Sequence, residues 1–323
     1  MSPAADSVAT GAYPALTSTK GSVVPDLTLL GVPNSAGSFA PGQDQAPRVL
    51  RETGLVDALQ ARGITVTDLG DLSEQVWTPD PEQPTAQNLG QVVDSLVELR
   101  RRLRPVFSEN RGKVLVLGGN CTVALGVLAA MTDVLPERPA LLYIDRHLDM
   151  NIPDSTPDGA LDWMGLGHAL GVPGHVPELA AALGQTPLLK PDHLAVLGVD
   201  PRKVTTWEAE QARRLALHTI PSSELRTDPV GSTASCLDAL PPGPLHVHVD
   251  VDVLDFTNAP IAEDTGGRNT GPRLDDLTTA LQTAARDPRM IALSIGELNP
   301  ARAAGTPDAL PRFVDALSRI LAV

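Results

Sequence analysis

Leu141-Leu142-Tyr143-Ile144 is an unbroken apolar run that gives way at once to Asp145-Arg146-His147-Leu148-Asp149. A short run with no polar face reads as a core strand of a parallel sheet, whose two sides are both covered. Side chains alternate along a strand, so its continuation would turn Asp145, His147 and Asp149 to one face. The strand then ends in three residues of metal-ligand type. An Asp-x-His pair also caps turns, and this stretch alone leaves both readings open.

A second run repeats the theme. In Leu245-His246-Val247-His248-Val249-Asp250-Val251-Asp252-Val253-Leu254-Asp255 the valines alternate with His246, His248, Asp250 and Asp252. A polar row on a covered strand is costly unless something compensates it, so two more carboxylates need cations. Further strands are expected at Leu27 to Pro33, Ile64 to Leu69, Lys113 to Gly119, Leu194 to Asp200 and Ile291 to Gly296, the last ending at Glu297. Helical periodicity covers Pro47 to Arg62, 88–110, about 121–131, 201–216 and 308–322, whereas 74–87 reads as a loop and 219–243 as partly irregular. Alternating strands and helices predict a parallel sheet with helices on both sides, and ligands in such sheets gather beyond the carboxyl ends of the strands. No repeat or linker divides the chain. One α/β domain is therefore expected over 26–323, preceded by a loose tail over 1–25 that is rich in Ala, Ser, Thr and Pro and lacks a signal-peptide pattern.

Composition narrows the partners. A formal charge of −14 disfavours nucleic acid and anionic lipid, which require a basic field. Two cysteines make no disulfide framework, and no apolar stretch is long enough to span a membrane, so a cytoplasmic protein is expected. The strand ends together offer Cys121, Asp145, His147, Asp149, Asp250, Asp252 and Glu297. Carboxylates so grouped would repel unless cations neutralise them. Carboxylate and imidazole donors suit a pair of divalent ions such as Mn²⁺, and two such ions can activate water against an electrophilic carbon. The expected chemistry is metal-assisted hydrolysis.

From Leu27 onward the chain resembles the ureohydrolases, the family of arginases, agmatinases and formimidoylglutamases. The resemblance is carried by Leu30-Gly31-Val32-Pro33, Pro47-x-x-Leu50-Arg51, Gly70-Asp71, Gly118-Gly119, Asp145-x-His147-x-Asp149-x-Asn151-x-Pro153, Asp250-x-Asp252-x-x-Asp255 and Glu297-x-Asn299-Pro300, all in family order. It implies a single three-layer domain with an eight-stranded parallel sheet, assembled as a homo-oligomer, trimer or hexamer, and a small guanidino or amidino substrate. It also implies two Mn²⁺ ions bridged by Asp145 and Asp250, with Asp149 a further ligand of the first ion, and His147 and Asp252 ligands of the second. Asp149 would also hold the attacking hydroxide in line. Glu297 matches the acid that holds the guanidinium, Asn151 a residue that binds the amino acid end of the substrate, and Asp200 falls near the α-amino site.

Two departures stand out. Cys121 occupies the position of a histidine ligand of the first ion, and thiolate favours Zn²⁺ or Fe²⁺ more than imidazole does. The same change resembles that of Nω-hydroxyarginine amidinohydrolases, which makes a hydroxyguanidine the preferred substrate; a small core residue is the other reading of this cysteine. Asp162 occupies the position of a proton-relaying histidine, and Asp158 that of a serine near the substrate carboxylate, so a substrate lacking that carboxylate or bearing an amine is a further possibility. A degenerate binding or assembly protein without turnover is the alternative function. His246 and His248 read as hydrogen-bonded core residues, support of a metal ligand from behind being the second reading of His248.

Overall fold

The computed structural model describes residues 27–265 and 269–323. The tail expected over 1–25 lies outside them, as does Arg268, which, like Arg146, reads from the sequence as a surface salt bridge or as a substrate or subunit contact. Eight strands form one sheet: β1 (Leu27–Gly31), β2 (Val66–Asp71), β3 (Lys113–Leu117), β4 (Ala140–Ile144), β5 (Leu194–Val199), β6 (His218–Pro221), β7 (Leu245–Asp250) and β8 (Met290–Gly296). Their order is β2-β1-β3-β8-β7-β4-β5-β6, and every neighbouring pair is parallel. The expected single α/β domain with an eight-stranded parallel sheet is thus the observed architecture.

The apolar runs become strands because both of their faces are buried. In β4, Leu142 and Ile144 join a core with helices Pro229–Ala239, Leu274–Ala285 and Ala309–Leu321, while Leu141 and Tyr143 face the opposite side, where helices Leu89–Ser108 and Val123–Val134 pack. The same alternation in β7 sends Val247 and Val249 to the first side. His246 and His248 therefore point to the second, and His248 stacks on Tyr143 with ring centroids 4.7 Å apart. The sheet order also makes β3, β8, β7 and β4 consecutive neighbours. These are the four strands whose ends carry the candidate ligands.

Several expectations are corrected. The helix predicted from Pro47 to Arg62 is two, Ala46–Glu52 and Leu55–Gln60, because Gly54 takes a left-handed conformation (φ 92°) between them. The 219–243 stretch, expected to be partly irregular, contains β6 and helices Ser222–Thr227 and Pro229–Ala239. Asp228 starts the second of these by accepting a hydrogen bond from the Gly231 N–H, and Pro229 suits its first turn. The helix expected from 121 begins at Val123, which leaves Cys121 in the turn before it. The helix expected over 201–216 spans Thr206–Arg214 behind a Thr205/Glu208 capping box.

Candidate metal centre

The two polar motifs converge by turning rather than by extending the strands. β4 stops at Ile144, and the Asp145 side chain accepts the His147 N–H at 2.7 Å. β7 stops at Asp250, whose side chain accepts the Asp252 N–H, also at 2.7 Å. Each motif is an Asx turn, in which a short acidic side chain captures the amide two residues on. The turns aim residues i and i+2 at a common centre. Ligand atoms of Asp145, His147, Asp250 and Asp252 lie within 4.8 Å of one another. His147 Nδ1 faces two carboxylates, 3.4 Å from Asp145 and 3.2 Å from Asp252.

Cys121 and Asp149 flank this group. Cys121 Sγ lies 3.3 Å from Asp250 Oδ2, and the Asp149 carboxylate accepts the Tyr143 hydroxyl. Glu297 receives the Cys121 N–H at 2.9 Å and the Gln43 amide at 2.8 Å. Asp149 and Glu297 both adopt positive φ, 47° and 62°, a conformation that costs a non-glycine residue of order 1 kcal/mol. Each is held there by surrounding structure: the Glu297 N–H donates to Gly119 at 2.7 Å, and the Asp149 carbonyl accepts from Gly167 at 3.1 Å. Gly119 has no freedom to grow, since a Cβ there would sit 1.7 Å from the Asn34 carbonyl oxygen. That close approach brings the 34–45 segment over the site, with Gln43 on Glu297 and Ser38 bonded to both Gln43 and Asp162.

Burial and mutual repulsion disfavour charging the set. They push the Asp149, Asp250 and Glu297 carboxyls well above the ordinary range, burial being the larger cause in each. Asp252 is raised for the same reasons. Asp145 is the exception: burial would raise it, but hydrogen bonds and charge from His147 bring it below the usual value. For His147, burial favours the neutral ring, and the charges of Asp252 and Asp145 overcome it. Burial likewise pushes the Cys121 thiol well up, with Asp250 and Glu297 adding to it. Asp145 Oδ2 and Asp252 Oδ1 are buried and find no hydrogen-bond donor among the described residues. Oxygen-rich donors at one centre, two of them with unmatched acceptors, fit divalent cations.

The cleft above the group is lined by Cys121, His147, Asp149, Asp250, Asp252 and Glu297, by Asp158 and Asp162, and by Phe39, Ala160, Trp163, Lys203 and Asp264. Asp162, buried and bonded by the Trp163 N–H at 2.9 Å, is pushed up to about 7, chiefly by burial. Asp158 sits at the rim and accepts from the Trp163 indole at 3.2 Å. The structure does not bring Asn151 and Asp200 to this wall. Asn151 Oδ1 accepts from Ser155 and Thr205, each at 3.0 Å. Asp200 is clamped by Arg202 at 2.8 and 3.0 Å, and this pairing holds it near 2. Sequence reasoning missed Gln43, which starts a single 3-10 turn, and Ser38, Phe39, Lys203 and Asp264, which stand in loops with no pattern of their own. Arg146, for which the sequence favours a surface salt bridge over a substrate or subunit contact, is instead buried, 4.0 Å from Asp264.

The family model for the arginase family matches residues 25–314. The chain belongs to the arginase family. Its members are hydrolases of C–N bonds in linear amidines, and so is this protein. It is 29% identical over 240 residues to the arginase of Bacillus caldovelox, a match covering 72% of this chain and 78% of that one. Human arginase-1 is 26% identical over 294 residues, 89% of this chain and 88% of the relative. In fold, the Bacillus caldovelox arginase superposes with a TM-score of 0.80 at 22% identity, covering 92% of this chain and 98% of that one. Formimidoylglutamase of Bacillus subtilis superposes at 0.69 and 18% identity, covering 94% of this chain and 87% of that one. Arginase-family enzymes use a binuclear metal site, typically Mn²⁺, and in this chain Asp145, His147, Asp250 and Asp252 form a group with the geometry to hold a metal ion. Among the described residues no helix is long and apolar enough to cross a membrane.

Proposed function

We propose that the protein hydrolyses a linear guanidino compound, with Nω-hydroxyarginine as the preferred substrate, and that its ions are a Mn²⁺ pair. The convergence of two Asx-turn motifs on one centre beneath a cleft ending at Glu297 carries this reading. Asp145, His147, Asp149, Asp250, Asp252 and Cys121 would hold the ions, which supply charge neutralisation and activation of water. The sulfur at Cys121 supports a first site more tolerant of Zn²⁺ or Fe²⁺. Glu297 accepts charge-assisted hydrogen bonds from the guanidinium and fixes its carbon over the centre. Asp149 accepts a hydrogen bond from the attacking water and orients its lone pair at that carbon. As the C–O bond forms and a C–N bond breaks, the leaving nitrogen needs a proton. Asp162, at the cleft wall and bonded by the Trp163 N–H, is suited to carry it.

The remaining wall bears on the substrate's tail. Asp158 and Asp162 favour an amine or hydroxyl over a bare carboxylate on their side, whereas Lys203 offers a cation 3.6 Å from Asp264 on another. Metal content by mass spectrometry, paired with product release from arginine, Nω-hydroxyarginine, agmatine and other guanidino acids in Mn²⁺, tests the proposal. Two ions per chain and fastest turnover of Nω-hydroxyarginine are expected. Fastest turnover of another substrate would refute the substrate assignment, and metal-free protein inert on all of them would refute the hydrolase.

A further inference from the structure

We infer that His248, anchored by Ser294, is a positioning residue that directs the sulfur of Cys121 as a metal ligand. The inference rests on the ligand role given to Cys121 above. Three strands in register build a lateral row: Tyr143 of β4 pairs with His248 of β7, which pairs with Ser294 of β8. The imidazole is fully buried and stacked on Tyr143. Its Nδ1 lies 2.7 Å from Ser294 Oγ and its Nε2 lies 3.2 Å from Cys121 Sγ. Ser294 Oγ is also 2.8 Å from His246 Nε2. On the far side, Gly296 makes the room, since a Cβ there would stand 3.0 Å from Cys121 Sγ and 3.1 Å from His248 Cε1.

Proton bookkeeping gives the chain a direction. Ser294 has one hydroxyl proton and bridges two neutral imidazoles, each with one donor and one acceptor nitrogen. If the hydroxyl donates to His246, then His246 Nδ1 must carry a proton, and that atom is buried with no partner. Buried N–H groups without acceptors are rare, and an idle acceptor lone pair is tolerated more readily. The consistent arrangement runs the other way. His246 Nε2–H donates to Ser294, the Ser294 hydroxyl donates to His248 Nδ1, and His248 Nε2–H donates to the sulfur. Cys121 Sγ is therefore met by a fixed N–H on one side and lies against Asp250 on the other. A sulfur so held cannot rotate away from the carboxylate group, and a donor on a thiolate drains some of its charge. Partners of this kind commonly change metal affinity by ten- to a hundred-fold.

Co²⁺ serves as the probe, because cobalt thiolates show a charge-transfer absorption that imidazole and carboxylate ligands do not. Chelator-treated protein would be titrated with Co²⁺ as wild type, Cys121→Ser, His248→Phe, His248→Gln and Ser294→Ala, with a thermal melt of each to show that it folds. The wild type is expected to show the band and Cys121→Ser to lack it. His248→Phe, which keeps the stacked ring but not the donor, should bind Co²⁺ about ten-fold more weakly and shift the band to lower energy. His248→Gln restores a donor near Nε2 and should recover both readouts, with Ser294→Ala in between. If His248→Phe does not fold, the Ser294→Ala shift decides the matter. Unchanged affinity and band in the folded variants would overturn the role of His248 while leaving the hydrolase reading intact. A wild type that binds Co²⁺ and hydrolyses guanidino substrate without the band would overturn the ligand role of Cys121, and with it the inference. No Co²⁺ binding at all would overturn the metal reading too.

Discussion

Replacing Asp162 by Asn isolates the cost of burying one carboxylate beside the centre. Burial pushes this group from 3.8 up to about 7, so the folded protein holds a proton that the unfolded chain releases. The contribution is fully present below the unfolded value and is lost as pH rises towards about 7. At about 1.4 kcal/mol per pH unit, the interval amounts to about 4 kcal/mol. Asparagine keeps an acceptor for the Trp163 N–H and removes the charge. Urea denaturation of chelator-treated wild type and Asp162→Asn should therefore show the variant gaining on the wild type by about 1.4 kcal/mol per unit between about pH 5 and pH 7, then levelling. Chelation removes ions whose charge would draw the group down, and the relief of Glu297 and Asp149, which the Asp162 charge raises, acts in the same direction. A difference independent of pH, or one that shrinks as pH rises, would refute the burial argument.

Three further outcomes follow from the same geometry. Glu297→Gln keeps an acceptor for Cys121 but loses the charge facing the guanidinium and opposes an amide to Gln43; kcat/KM should fall about a hundred-fold or more, and wild-type turnover would exclude Glu297 as the substrate anchor. Gly296→Ala crowds Cys121 and His248 at about 3 Å and should cost about 1–3 kcal/mol in urea denaturation, with fewer ions retained per chain by mass spectrometry. Removing metal by chelation should lower the Tm at pH 8, and Mn²⁺ at a hundred times its Kd should restore about 2.7 kcal/mol; a Tm indifferent to both would mean that the carboxylates hold no ion.

How much was legible in the sequence differs by element. Strands β1, β3, β4, β5 and β8 announced themselves because a parallel strand covered on both faces must be apolar throughout. β6 is an edge strand of four residues ending in Pro221, with only Ile220 buried, so no run marks it. The helix Pro229–Ala239 carries Pro, Gly, Ser and Thr, which individually favour loops. It forms because Asp228 caps it and because Cys236 and Leu237 pack into the core shared with Leu274–Ala285. Strand order was beyond local reading: β7 and β8 return to fill the gap between β3 and β4, and only tertiary packing records that.

At the site, residue types were readable and the geometry behind them was not. The spacing Asp145-x-His147 and Asp250-x-Asp252 suggested strand alternation, because a strand has period two. An Asx turn also links positions two apart, and here it is the turn that bends each motif inward after its strand has ended. Two mechanisms with the same period give the same sequence signature but different demands. Alternation needs only a β backbone, whereas the turn requires a short side-chain acceptor at the first position. Asp145 and Asp250 thus serve twice, as acceptor for the backbone and as member of the group, which explains why the two first aspartates stand at equivalent strand ends on adjacent strands. Ser38 and Gln43 lacked any such signature, since their contacts depend on Gly119 admitting the 34–45 segment against the Asn34 carbonyl. A polar loop residue acquires a role from what the fold sets opposite it, and that information lies in the sheet order rather than in the loop.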